Sequence, residues 1–518
     1  MLAASILGSS MAFIDGTVVN VALPVLQEAL NATATQVLWV VEGYMLTLSA
    51  LLLLGGALAD KLGRRRIFAL GVALFAAASA GCGLAPDIQW LIAARVVQGL
   101  GGALLVPTSL ALLGACFSPE RRGRAIGKWS AFSAAAAGVG PVLGGWLVQA
   151  GSWRWVFWLN LPIGAATLAI TWRKVPESRA PGDRRLDLLG AGLATLGLGG
   201  VVFGLLEASR LGFDNPLIIG GLAGGGLILG AFVWVEAHTP APMVSLELFR
   251  SRTFSGANLL TLLLYAALGG TFFFLPFDLI QVHGYTPAEA GAALLPLITL
   301  LSLLSGWAGR LVDRYGAKGP LIVGPLIAAM GFALLGIPGT GGSYWTTFFP
   351  GVTVLGLGMA ITVAPLTTTV MAAAGPERAG LASGINNAVS RTASLLAVAV
   401  FGIVAYQRFA RALARRLDML GVPPEVRQLL AEERRKLAAA TVPASLPAEL
   451  RAALREVIAW SFVDAFRLLS LLSAGLAVAS ALIAWTLIGG STARSTRRVR
   501  SSEVGHLRLR RVPDLGAG

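Results

Sequence analysis

The sequence predicts an all-α polytopic membrane protein of fourteen spans, in which two six-helix halves flank two inserted helices. Three observations carry that prediction. The chain of 518 residues is 55% hydrophobic and only 13% charged, with a mean hydropathy of +0.73, which is too apolar for a soluble chain of this size. A short pattern occurs twice, 253 positions apart, each copy at the end of a long apolar stretch. The first copy is Gly56-Ala57-Leu58-Ala59-Asp60-Lys61-Leu62-Gly63-Arg64, and the second is Gly309-Arg310-Leu311-Val312-Asp313-Arg314-Tyr315-Gly316-Ala317. Finally, the cations gather in every other loop, as topology signals do.

Apolar runs long enough to cross a bilayer lie near 4–28, 38–59, 67–86, 89–113, 126–150, 155–173 and 187–208. They continue near 216–235, 255–281, 289–310, 318–337, 346–372, 381–405 and 457–488. The first carries Asp15 and continues towards Leu30, so it reads as a true span and not as a cleavable signal. Loops after even-numbered spans hold nineteen Lys and Arg, among them Lys61, Arg64, Arg121, Arg122, Lys174 and Arg314. The short loops after odd-numbered spans 1 to 11 hold only Arg154 and Arg210. This asymmetry places the even loops and both termini in the cytoplasm of a cell whose plasma membrane the chain spans. The basic tail from Arg494 to Arg511 agrees.

One stretch runs against the pattern. Residues 406–456 hold ten cations and six acids and fall on the outer side. They read as two amphipathic helices, broken at Pro423-Pro424 and restarted at Ser445-Leu446-Pro447-Ala448-Glu449. If Asp60 and Asp313 are equivalent, spans 1–6 match spans 9–14. The halves are then 1–174 and 254–490, with the inserted pair in 175–253 and a cytoplasmic tail at 491–518. Parallel repeats of this kind belong to transporters that rock around a central site.

Several residues carry chemistry. Asp15 lies deep in the first span, where a bare carboxylate costs roughly 2.5–3.5 kcal/mol. It therefore pairs, faces water or takes up a proton, unless it serves packing alone through a hydrogen bond to a neighbouring helix. Arg95, in Arg95-Val96-Val97-Gln98-Gly99, needs a counter-charge or carbonyl partners. It either modulates a nearby carboxyl or acts as structural glue. Gly140 and Gly144 share one small face of span 5 around Pro141, which suits sliding contact. Asp60 and Arg64, with Asp313 and Arg314 of the second copy, read as a conformational latch held at Gly56 and Gly309, or more plainly as positive-inside anchors. Glu42 and Asp278 are further acids inside spans. Either attracts a cationic cargo or carries a second proton, while Glu42 also fits a place at the outer water boundary.

These motifs resemble those of the major facilitator superfamily, and within it the fourteen-spanner drug:proton antiporters of the EmrB/QacA type. Residues 56–66 resemble the superfamily's motif A, 95–103 its motif B, 138–145 the antiporter motif C and 13–24 the subfamily's first-helix motif. Trp153–Gly164 and Leu246–Phe254 are similar to the entries of spans 6 and 9, and Asp464–Arg467 to the start of the last. The family's pattern more often has uncharged residues at Glu42 and Asp278. The resemblance implies a major facilitator fold and proton-coupled efflux of lipophilic, cationic small molecules by alternating access, with Asp15 and Arg95 at the coupling positions. The expected partners are the cargo, protons and the lipid bilayer, with a monomer as the working unit and no nucleic acid.

Other classes fit less well. An exporter of an endogenous lipid, siderophore or secondary metabolite is the nearest alternative, since an apolar lining serves either cargo. A membrane sensor or scaffold has no use for a charged pair beside a kinked helix. An enzyme is disfavoured because His238, His283 and His506 lie far apart and no nucleophile–base pair stands out. Cys82 and Cys116 suggest neither a disulfide framework nor a metal site, and no phosphate-binding Gly-Lys-Ser/Thr loop is present. The proton gradient stands where a cofactor would.

Overall fold

Thirteen helices among the described residues are long and apolar enough to cross a bilayer. The structure, a computed structural model, describes residues 1–117, 119–179, 187–239, 242, 244–375 and 378–489. In chain order the spans begin with α1 (Leu2–Ala29), α2 (Ala34–Leu62), α3 (Arg64–Gly83) and α4 (Ile88–Cys116). They continue with α5 (Pro119–Ala150), α6 (Trp155–Lys174), α7 (Leu188–Leu211), α8 (Pro216–His238) and α9 (Arg252–Val282). The tenth, α10, runs in two pieces, Pro287–Ala292 and Leu295–Tyr315. The last four are α11 (Lys318–Leu335), α12 (Tyr344–Ala374), α13 (Ala379–Leu420) and α14 (Ala448–Leu487). The fourteenth expected span is α5, whose apolar stretch among the described residues is Ala135–Ala150. The tail at 491–518 lies outside the described residues.

Local chemistry sets many of the ends. Thr33 and Gln36 form a reciprocal capping box at the start of α2, and Thr286 and Glu289 do the same at α10. Asp87 accepts from the Trp90 amide at 2.8 Å to open α4. The duplicated pattern explains two stops. Its closing glycines, Gly63 and Gly316, end α2 and α10 with φ of 116° and 75°, a backbone region that side chains with a Cβ avoid.

The halves repeat their packing. In the first, α1 packs on α5, α2 and α3 pack on α4, and α6 packs on α1 and α3. Eight helices later, α9 packs on α13, α10 and α11 on α12, and α14 on α9 and α11. Small residues permit the close approaches that replace hydrophobic driving force inside a membrane. A Cβ on Gly101 would strike the Phe75 backbone, and one on Gly331 would strike that of Leu355, so α3–α4 and α11–α12 meet alike. Polar pairs add cross-links, such as Thr271 with Ser473 at 2.8 Å and Asn386 to Thr261 at 2.7 Å. The inserted α8 rests on α7, and α7 rests on α2 and α13, along a seam between the halves.

The halves meet towards the end of the bundle opposite Asp60. There α5 lies against α10, with Gly145 at the Pro287 carbonyl and Gly291 at the Pro141 carbonyl. Gln281 Nε2 donates to Gln27 Oε1 at 3.3 Å, and Gln27 Nε2 donates to the Lys436 carbonyl at 3.1 Å. The stretch 406–456 takes a different form from a separate helix pair. Its first part simply extends α13, which reaches 42 residues, roughly 63 Å at 1.5 Å per residue and about twice the hydrocarbon thickness. The break comes at Gly421. A short helix, Pro424–Glu433, and a 3₁₀ turn, Arg434–Ala439, then return the chain to α14.

Candidate functional site

Asp15 is fully buried at the centre of the first half, where α1, α2, α3, α4 and α6 converge. Arg95, on α4, is equally buried and donates through Nη1 to Asp15 Oδ2 at 2.6 Å. The other carboxylate oxygen accepts from Gln98 Nε2 at 2.8 Å and Asn160 Nδ2 at 3.3 Å. Arg95 Nη1 also donates to Gln98 Oε1 at 2.8 Å, and its Nε donates to the Val40 carbonyl at 3.0 Å. The guanidinium lies 4.1 Å from the Tyr44 ring centroid, which shields one face. Asn160 is held in turn by Ser79 at 3.0 Å, and Ser79 by the Phe157 carbonyl at 2.7 Å. Both charges thus have several partners, as a buried ion pair requires.

Sequence reasoning paired Asp15 with Arg95 but passed over Gln98, Asn160 and Tyr44. The signal was present, since an amide in the middle of an apolar span is costly without a partner. Gln98 is three residues from Arg95, one helical turn along the same face. Another omission is Arg391 on α13, which is half-buried and within electrostatic reach of the Tyr44 hydroxyl across the interface between the halves.

The motif in span 5 sits directly behind this network. A Cβ on Gly140 would collide with the Thr17 hydroxyl, and one on Gly144 with Val18, so this face lies flush on α1 just after Asp15. The neighbouring face presents Gly138 to Ile298 and Gly145 to Pro287, both on α10. Pro141 is buried inside the helix. Helix α5 is therefore a smooth plate between the helix that carries the carboxylate and the opposite half.

The remaining acids stand apart from Asp15. Glu42 is fully buried, and neither of its oxygens has a hydrogen-bond partner among the described residues. The outer-boundary reading of Glu42 does not match this burial. It lies one turn from both Leu38, which touches Gly402 on α13, and Leu46, which approaches Gly199 on α7. Asp278 occupies a π-helical turn, Asp278–Val282, at the end of α9 and faces His283.

In the first duplicated loop, Arg64 grips Asp60 through Nη2 at 2.8 Å and Nε at 3.0 Å. The loop is tied to the segment that follows the first half, where the Arg64 amide donates to the Ser178 carbonyl at 2.9 Å and the Arg65 amide to Glu177 Oε1 at 3.1 Å. A Cβ on Gly56 would make ordinary contact with Pro107 at 3.6 Å. In the second copy Gly309 has open space where a Cβ would stand, and the side chains of Asp313 and Arg314 lie outside the described residues. No cluster of metal-ligating side chains occurs among the described residues.

Comparison with known proteins agrees with this architecture. The model of the Major Facilitator Superfamily matches residues 5–398. The chain is 36% identical over 432 residues to the multidrug resistance protein Stp of Mycobacterium tuberculosis (strain ATCC 25618 / H37Rv), covering 83% of this chain and 80% of that protein. It is 32% identical over 487 residues to the tetracenomycin C resistance and export protein of Streptomyces glaucescens, covering 93% and 90%. Among solved structures, a bacterial homologue of the human lysosomal transporter Spinster shares the fold, with a TM-score of 0.66 at 18% identity over 94% of this chain and 97% of that one.

Proposed function

The chain belongs to the Major Facilitator Superfamily, and from that premise we propose that it is a proton-coupled exporter of lipophilic, cationic small molecules. It is a transporter and not an enzyme, as its family and structural neighbours are. The observation that carries the proposal is the buried Asp15–Arg95 pair with its Gln98 and Asn160 partners. The multidrug resistance and the tetracenomycin C resistance and export functions of the relatives support the direction and a small-molecule cargo.

The mechanism follows from what a proton does to the pair. When Asp15 takes a proton, Arg95 loses its counter-charge and keeps Gln98, the Val40 carbonyl and the Tyr44 and Phe157 rings. The balance of α1 against α4 changes. Thr17 and Val18 transmit any shift of α1 to the Gly140 and Gly144 face of α5, and α5 slides on α10. The half at 1–174 thereby rocks against the half at 254–490. Loop charge puts the Asp60 end in the cytoplasm with both termini, so the contacts described here close the outer side of a monomer in the cell membrane. Asp60–Arg64 and Asp313–Arg314 are the latches of the inner gate, and Glu42 is the acid that meets a cationic centre. One proton exchanged for one monovalent cation moves no net charge, so the pH difference drives the exchange, at about 1.4 kcal/mol or about tenfold in cargo gradient per pH unit. A potential of about 100 mV adds about 2.3 kcal/mol only when a net charge moves, as with a neutral cargo.

Reconstitution tests the coupling. Proteoliposomes with an imposed pH gradient should accumulate a fluorescent lipophilic cation with the wild-type chain and fall to the empty-liposome rate with Asp15→Asn. Undiminished gradient-driven transport by Asp15→Asn removes the coupling assignment.

A further inference from the structure

We propose that Asp278 and His283 form a second proton-binding site, separate from Asp15, whose occupancy favours closure of the outer gate. The inference rests on the proton-coupled reading above and adds to it the site where a proton from outside acts on the gate.

The pair is built and buried. The side chains of Asp278 and His283 are 3% and 2% exposed. His283 Nδ1 lies 3.7 Å from Asp278 Oδ2 and 3.1 Å from the Asp278 backbone carbonyl. The edge of Phe348 closes the imidazole at a centroid separation of 4.9 Å. Two atoms remain without a hydrogen-bond partner among the described residues, Asp278 Oδ1 and His283 Nε2. With Asp278 ionised and His283 neutral, the site holds one uncompensated negative charge away from water, a costly arrangement. A single added proton cancels it, on the imidazole as an ion pair or on the carboxyl as a neutral one.

The site is also wired to the contact between the halves. Asp278 opens the π turn that includes Gln281, and π turns of this kind recur at functional positions. Gln281 donates to Gln27 of the first half, and Gln27 donates to the Lys436 carbonyl of the outer segment. Opening the outer side separates those groups and lets water reach the pair. The closed state therefore holds the proton better than the open state, and by linkage a lower outside pH favours closure. The titratable and charged groups that neighbouring elements bring to this end are Tyr285 and Glu289 after the turn, Tyr344 on α12, Glu28 on α1, Lys436 in the outer segment and Arg455 on α14. Among the described residues, the ion pair made by the Asp278 carboxylate is the one with His283 at 3.7 Å.

The test measures the gate without transport. Spin labels at Leu84→Cys and Ile337→Cys, both exposed on the outer ends of the two halves, report the outer opening by pulsed electron resonance in nanodiscs. Cys116→Ser is included, and Cys82 is buried and stays. An Asp15→Asn background removes the first site. In that background the open-to-closed ratio should fall as pH drops from 8 to 5, by at most about tenfold per unit for one linked proton. Adding Asp278→Asn should flatten the profile, and adding His283→Gln should move its midpoint. A flat profile with Asp15→Asn alone, or an unchanged one after Asp278→Asn, overturns the proposal. An unchanged midpoint with His283→Gln removes the pairing. Failure of the coupling assignment appears in the proteoliposome assay instead, so the two outcomes are told apart.

Discussion

Glu42 shows what one residue contributes to a membrane interior. Asp15 is answered by three donors, whereas the equally buried Glu42 has none among the described residues. A carboxyl with no partner at the seam of α2, α7 and α13 costs desolvation, which is the basis for proposing Glu42 as the acid that meets a cationic cargo. Glu42→Gln should therefore spare the fold and neutral cargo while reducing export of a monovalent lipophilic cation by about tenfold, the scale of one modest charge interaction of about 1.4 kcal/mol. Matched cationic and neutral dyes in cells carrying the transporter check this. Equal loss for both would remove Glu42 from cation recognition.

Among the elements, α5 and the outer turn act differently. Helix α5 offers glycine faces to both α1 and α10, which is what the proposed slide of α5 between them requires. The turn after Pro424–Glu433 is fastened by one acid. Glu433 Oε2 accepts from the Thr441 hydroxyl at 2.6 Å and the Thr441 amide at 3.0 Å, and its Oε1 accepts from Lys436 Nζ at 3.0 Å. Burial pushes the Glu433 carboxyl up, but the Thr441 bonds and the Lys436 charge outweigh it and hold the group below its ordinary value. The bonded form is then stabilising above the unfolded value, near 4.3, and that contribution is lost as pH falls through the lower folded value. Hydrogen-exchange protection in 434–442, taken relative to the intrinsic amide rate at each pH, should fall below about pH 4, and Glu433→Gln should abolish the acid-dependent step. An unchanged step in Glu433→Gln would assign it to another group.

At the scale of the whole molecule, one polar cluster ties elements of both halves to the segment between α13 and α14. Gln27 belongs to α1, Gln281 to α9 and Lys436 to the outer segment, so this one cluster joins both halves and the strap between α13 and α14. Cross-linking Gln27→Cys to Lys436→Cys should hold the outer side shut and reduce export to background, with recovery on adding reductant. Export that persists in the cross-linked protein would show that the strap and α1 need not part. Alternating access requires only that each closed end be held by a few such contacts.

The sequence by itself determined the class, the fourteen spans and the doubling of the fold, because apolar length, loop charge and repeated motifs are one-dimensional properties. It also singled out Asp15, Arg95 and the small face of α5, because an ion or a proline inside a span needs an explanation wherever the span packs. Tertiary structure alone decided which partners meet. Gln98 and Asn160 are 62 positions apart yet share Asp15 Oδ1, and Asp278 has His283 as its neighbour, not Asp15. It also decided that α13 continues as one unbroken helix to Leu420, which the amphipathic change after Tyr406 concealed as a separate helix. The reason is physical: burial cost is written in each residue, but the group that relieves it is chosen by helix packing.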